Sequence, residues 1–285
     1  MLWLLLAIVS AILNALTRIL QKILLTEKDS DPFAFTFIFQ LVVAFLFLIY
    51  VLITKSISLP SLSGLVLNIL IMMFFYGIGN LLTFKAFKLA EASEVSVIFA
   101  SNTLWSVVSA FFILGEKLNN FKILGVLLVV LGLIVINYVK TSWKINRGHL
   151  YALISAFMFG VAFTNDIFII KRFNSVASYS MFAFALPSIV PLFFNPKSIK
   201  NVPYFLNGKV FVRLLICGFF YAAAAFTIYT ANKMGGLASI ISPISSASSL
   251  VFIVIMSYIF LKERDRMWNK VLGTLLIFGG ILFLV

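Results

Sequence analysis

Polar side chains interrupt the apolar stretches of this chain at only a few places, and each has a chemistry of its own. Asn14, Thr17 and Arg18 share one side of the first stretch, Asn14 and Arg18 being four residues apart and so neighbours on a helix face. An arginine turned to lipid at the bilayer centre costs about 2.5–3.5 kcal/mol on insertion scales, so its head must face inward or reach an interface. Two readings stay open: the Arg18 stem snorkels to the interface, or its guanidinium attracts a carboxylate substrate. Asn165 and Asp166 form the matching pair in a later stretch. Asp166 is the acidic residue best placed to exchange a proton within a span, which desolvation would have to tune. Lys171 and Arg172 follow closely, so an interfacial ion pair is the alternative.

Smaller polar groups form stripes. Ser242, Ser245, Ser246 and Ser249 fall on one helical face, and Asn102, Ser106 and Ser109 answer on another stretch with Trp105 beside them. Such stripes either let helices pack closely and hydrogen-bond across a bundle or line a watery pathway. Pro243 frees backbone groups that a cavity can solvate, and it is equally explicable as an ordinary bend. Tyr76 and Asn80 share a face with Gly77 and Gly79 nearby, and Tyr221 precedes four consecutive alanines. Their rings can stack on a substrate, although 32 phenylalanines make aromatic lining the background expectation.

The elements that must position these groups follow from composition. With 62% hydrophobic and 11% charged residues among 285, the surface is not that of a water-soluble domain, whose charged fraction is about a quarter. The chain reads as an all-α polytopic membrane protein in a lipid bilayer, of the cell (inner or plasma) membrane. Spans of about 20 apolar residues fit near 2 to 25, 33 to 54, 64 to 86, 92 to 114, 120 to 139, 149 to 171, 177 to 194, 210 to 232, 237 to 260 and 268 to 285. The first has no basic head or small-residue cleavage site and reads as a retained span. Cys217 and His149 are the only residues of their types, which argues against a disulfide or a Cys/His metal site. No cofactor is expected. The formal charge of +13 resides mostly in short connections, so it reads as topological bias and not as a nucleic-acid surface.

The chain also repeats itself. Leu114-Gly115-Glu116-Lys117-Leu118 returns as Leu261-Lys262-Glu263-Arg264, each followed by an apolar stretch with two glycines, Gly125 and Gly132, then Gly273 and Gly280. Leu6 to Ala11 aligns with Tyr151 to Ala156, Tyr76 with Tyr221, and Phe84-Lys85-Ala86 with Tyr229-Thr230-Ala231. The polar segment 140–148 divides a first set of five spans (1–139) from a second (149–285). Five is odd, so the second set enters from the opposite face, giving ten transmembrane helices in two inverted five-helix repeats with a binding site at the midplane between them. Glu116 and Glu263 are read as structural, each accepting hydrogen bonds from the first amides of the following helix. Glu91 and Glu94 favour the positive end of the fourth helix. Helices five and ten read as scaffold or as a subunit contact, which leaves a homodimer open.

This order of motifs, doubled over essentially the whole chain, resembles the EamA family of the drug/metabolite transporter superfamily. The resemblance implies a ten-helix fold, export of amino acids, related metabolites or drugs, and a central cavity lined by helices 1, 3, 4, 6, 8 and 9. Two features depart from it: the proline of the fourth helix occurs only as Pro243, with Ser96 at the approximate counterpart, and 14 basic residues against 6 place both termini outside, where relatives keep them cytoplasmic. No clustered nucleophile, charged ring or Gly-x4-Gly-Lys-Ser/Thr segment occurs, which argues against an enzyme, a channel or a pump. The reading is a secondary carrier exporting a small molecule by alternating access. Metabolite uptake, or a non-transporting structural or assembly role, is the alternative. Asn14, Arg18, Tyr76, Asn80, Asn102, Trp105, Asn165, Tyr221, Ser242, Ser245, Ser246 and Ser249 are the candidate substrate contacts.

Overall fold

The computed structural model describes residues 2–61, 63–114, 120–137, 146–170, 172–233 and 238–284. All regular structure among them is helical: α1 (Leu2–Thr26), α2 (Pro32–Ile53), α3 (Val66–Leu89), α4 (Ala92–Phe99), α5 (Asn102–Leu114), α6 (Asn120–Asn137), α7 (Arg147–Ile170), α8 (Val176–Ser188), α9 (Val190–Phe194), α10 (Val202–Phe205), α11 (Gly208–Lys233), α12 (Ala238–Met256) and α13 (Met267–Leu284). A 3₁₀ turn, Pro196–Asn201, precedes α10, and a π turn, Ser257–Leu261, prolongs α12. Local chemistry sets several starts. Asp31 caps α2 by accepting the Phe33 amide at 2.9 Å, with Pro32 at the first helical position.

Six stretches are long and apolar enough to cross a membrane: Leu2–Thr26, Pro32–Ile53, Val66–Leu89, Arg147–Ile170, Val176–Phe194 and Gly208–Ile228. Three shorter apolar helices, Asn120–Val135, Ser248–Leu261 and Met267–Phe283, accompany them. The perimeter exposes large apolar side chains such as Phe112, Phe193 and Trp268, as lipid requires of a membrane protein.

Two of the expected spans are broken. The stretch 92–114 is not one helix: at Ala100 and Ser101 the amides bond to Val97 and Ile98 in tight three-residue turns, and the Ser101 hydroxyl takes the Ile98 carbonyl at 2.7 Å. The stretch 177–194 divides at Ile189, between Pro187 and Pro191, because proline removes a backbone donor and crowds the preceding turn.

The helices pair in a pattern that survives exchange of the two halves. α1 packs on α11 and α12, while α7 packs on α3, α4 and α5; α2 lies against α8, and α6 against α13. Hydrogen bonds repeat the exchange. Ser10 Oγ donates to the Ala224 carbonyl at 2.9 Å, and Ser155 Oγ donates to the Gly79 carbonyl at 2.7 Å. One residue shift carries Ser10 to Ser155 and Gly79 to Ala224.

The glycine-bearing helices α6 and α13 run antiparallel. A Cβ on Gly132 would lie 2.8 Å from the Gly273 carbonyl oxygen, and one on Gly280 would lie 2.8 Å from that of Gly125. The glycine faces are thus spent on each other within the chain, not on a second subunit. α2 and α8 are antiparallel too, Phe47 stacking on Phe184 at 6.0 Å while Ser178 reaches the Ser56 carbonyl at 2.8 Å. The main apolar core gathers Phe35, Phe39, Phe84 and Phe87 with Phe205 and Leu214.

Candidate functional site

The interior of the bundle is polar where α1, α2, α3, α4 and α11 converge. Arg18 is half-buried, and its guanidinium lies over the rings of Phe99, 4.4 Å from the centroid, and Phe87, at 5.5 Å. Tyr221 and Cys217 on α11 are its titratable neighbours. The head therefore turns into the protein, and the snorkelling alternative does not describe it. The break after α4 contributes directly, since Phe99 is the last residue before it. Tyr221 packs against Phe39 and Phe184, at 5.4 and 5.5 Å. Beside Phe39, Gln40 accepts from the Asn80 side chain at 3.5 Å, and Asn80 also donates to the Tyr76 carbonyl at 2.9 Å. Asn14 is turned back onto its own helix, donating to the Ser10 carbonyl at 3.1 Å.

An aromatic bridge leads from Arg18 toward α7. Phe99 meets Phe159 at 5.0 Å, and Phe159 meets Tyr76 at 5.3 Å. The Tyr76 hydroxyl donates to Asp166, and the Tyr179 phenol on α8 lies beside them. Asp166 forms no ion pair with Arg172, which is exposed; Lys171 lies outside the described residues. Among the described residues the Tyr76 phenol of α3, and not Arg172, holds the Asp166 carboxylate. Asn165 does not join Asp166: it pairs with Asn68 at the start of α3, by bonds of 2.7 and 2.8 Å.

The serine and asparagine stripes meet the helices that face them. Ser109 meets the Thr164 hydroxyl at 2.6 Å, while a Cβ on Gly160 would lie 2.7 Å from the Asn102 carbonyl and 2.5 Å from Trp105 Cβ. On this face the stripe of α5 serves close contact with α7, and Asn102 is buried there. The Trp105 indole N–H is buried without an acceptor. On α12, Ser249 donates to the Ala11 carbonyl at 3.0 Å, Ser245 is buried and Ser246 half-buried. Ser242 and Pro243 belong to the α12 backbone, but their side chains, like all of Glu116, lie outside the described residues.

One end of the bundle is held by charge. The Glu263 carboxylate accepts the amides of Ala92, at 2.7 Å, and Ser93, at 3.0 Å, and the Ser93 hydroxyl at 2.6 Å. It caps α4 of the other half, not the helix that follows it, which corrects the expectation from sequence. Glu94 pairs with Arg266 and, at 2.9 Å, with His149; Glu91 pairs with the buried Lys270. Burial pushes the Glu91 carboxyl above its ordinary value, against the hydrogen bond and charge of Lys270. Lys22 donates to the carbonyls of Phe87 and Ala90, both at 2.6 Å, as a cation does at a helix C-terminus. Each of these Glu contacts joins the first half of the chain to the second. At the other end, among the described residues, the halves meet through uncharged pairs such as Asn68 with Asn165 and Ser58 with Ser178.

Sequence reasoning passed over Gln21, Gln40 and this charged end. A signal was present for the first two: the chain has two glutamines, both within apolar stretches. The charged end had no local signal, because its partners are more than 50 residues apart. Among the described residues no group of three or more His, Cys, Asp or Glu side chains is placed to hold a metal ion.

An all-helical chain with multiple apolar spans and polar groups gathered inside is an integral, multi-pass membrane protein. Family comparison makes the class specific. Residues 1–138 and 146–285 each match the model of the EamA-like transporter family, and the chain belongs to that family, a membrane transporter of the drug/metabolite type. A solved structure described only as the crystal structure of a protein is 17% identical and superposes with a TM-score of 0.64, over 99% of this chain and 97% of its own. That likeness is one of fold. No curated protein sequence matches the chain.

Proposed function

We propose that this transporter is a secondary carrier of the cell membrane that exports amino acids or related small metabolites by alternating access, its ten apolar segments forming two inverted sets of five. The antiparallel pairing of α6 with α13 and of α2 with α8 supports the inversion. The observation that carries the reading is a set of polar groups, Arg18, Gln40, Asn80 and Tyr221, drawn from four helices into an apolar bundle. Scaffolding alone does not call for these groups, and intramembrane polar groups mark substrate pathways.

In this reading the halves rock about that set, and the charged end parts in one state and closes in the other. Asp166 is the group that exchanges a proton, because the Tyr76 phenol and not Arg172 holds its carboxylate.

The test is untargeted profiling of the medium of cells expressing the intact protein or Asn80→Leu at equal membrane abundance. Compounds accumulating outside only with the intact protein support export. Identical profiles, followed by a difference in uptake between the same pair, would reverse the direction. Identity in both assays would leave a structural role.

A further inference from the structure

Among the described residues Arg18 is a cation without a counter-ion. Its guanidinium offers five N–H donors, yet within the described structure it makes no hydrogen bond and no ion pair; its contacts are the faces of Phe99 and Phe87. Neighbouring Tyr221 and Cys217 are neutral groups. A charge drawn even partly out of water is ordinarily paired, because losing hydration without a partner is costly, and ring faces compensate only part of that cost. Three residues along, on the same helix face, Gln21 is buried with a side-chain oxygen that has no partner. A half-buried cation without an anion and a buried amide oxygen without a donor thus lie one turn apart inside the bundle.

We infer that Arg18 is the receptor for a monoanionic carboxylate on the transported molecule, while the free Gln21 oxygen accepts from a donor elsewhere on that molecule. This rests on the carrier reading above and names its substrate class. A planar guanidinium matches a carboxylate through two parallel N–H bonds. A single guanidinium balances a single negative charge; Lys22, one turn along the same helix, is already committed to the Phe87 and Ala90 carbonyls. Phe87, Phe99 and Tyr221 around the head favour an acid with an apolar body over a small hydrophilic dianion.

The experiment uses the full chain purified in detergent and, in parallel, reconstituted in vesicles. Thermal unfolding is recorded with benzoate, phenylacetate and leucine, with the corresponding primary amides, and with phenyl phosphate. The acids should raise the melting temperature and the amides should not. Arg18→Gln should fold, melt no lower than the parent because an unpaired charge is gone, and lose the response to acids; Arg18→Lys should retain a weakened response. Equal protection by the amides, an unchanged acid response in Arg18→Gln, or no response of the parent to any acid would overturn the assignment. Stronger protection by phenyl phosphate would overturn the monoanion. Vesicle flux separates this from the carrier reading: transport of a neutral or cationic solute that Arg18→Gln leaves intact removes the anion receptor alone, whereas acid binding without flux of any bound acid removes the carrier alone.

Discussion

Glu263 caps a helix of the opposite half: its carboxylate lies 3.0 Å from the Ser93 amide and 2.6 Å from the Ser93 hydroxyl. The contact closes across 170 residues of chain, so it ties the two repeats together where charge is densest. Glu263→Ala would leave buried donors of Ala92 and Ser93 unpaired. A loss of roughly 1–3 kcal/mol is expected, with Glu263→Gln losing less. Unfolding of the purified variants measures it, and an unchanged midpoint for Glu263→Ala would mean that the cap contributes nothing.

Glu91 gives the same end a pH dependence. A carboxyl raised above its unfolded value holds its proton more tightly when folded, so its contribution to stability is present below the ordinary carboxyl pKa and is lost as pH rises through the raised one. The parent should therefore lose stability relative to Glu91→Gln as pH climbs through that window. Parallel curves for the two proteins would show that Glu91 is not the group responsible.

The α6–α13 contact should resist any side chain at its glycines. In Gly132→Ala the new methyl meets the Gly273 carbonyl oxygen, and in Gly280→Ala that of Gly125. Neither backbone can retreat, so each variant should cost about 1–3 kcal/mol, the usual range for overpacking. By the exchange of halves the two costs should be similar. Folded yield and melting temperature check this, and wild-type behaviour of both variants would show that the helices are farther apart.

Ser10 and Ser155 make equivalent bonds, to the Ala224 and Gly79 carbonyls. Each alanine variant should lose roughly 0.6 kcal/mol, the average for such bonds in membranes. Widely different losses would mean that the halves do not pack equivalently.

Tyr76→Phe removes the hydroxyl that donates to Asp166. If Asp166 is the proton-exchanging group, the pH optimum of transport moves in Tyr76→Phe and transport ceases to respond to a proton gradient in Asp166→Asn. Flux assays in vesicles with imposed gradients decide it; normal gradient response in Asp166→Asn would leave facilitated diffusion.

The membrane class, the helical fold and the doubling of the chain were legible in the residues because each is a property of composition or spacing. Apolar runs of span length permit little but helix, and Tyr76 and Tyr221 recur at one shift wherever the chain is cut. Candidate positions such as Arg18 and Asp166 were also legible, since polar side chains stand out against an apolar run. Their partners were not. Only the tertiary structure decided that Arg18 lies over Phe99 and Phe87, that Tyr76 and not Arg172 holds Asp166, and that Glu263 caps α4 in place of its own successor. Helical periodicity says which residues share a face, but which face meets which helix depends on contacts between residues far apart in sequence. A single helix carries no record of those contacts.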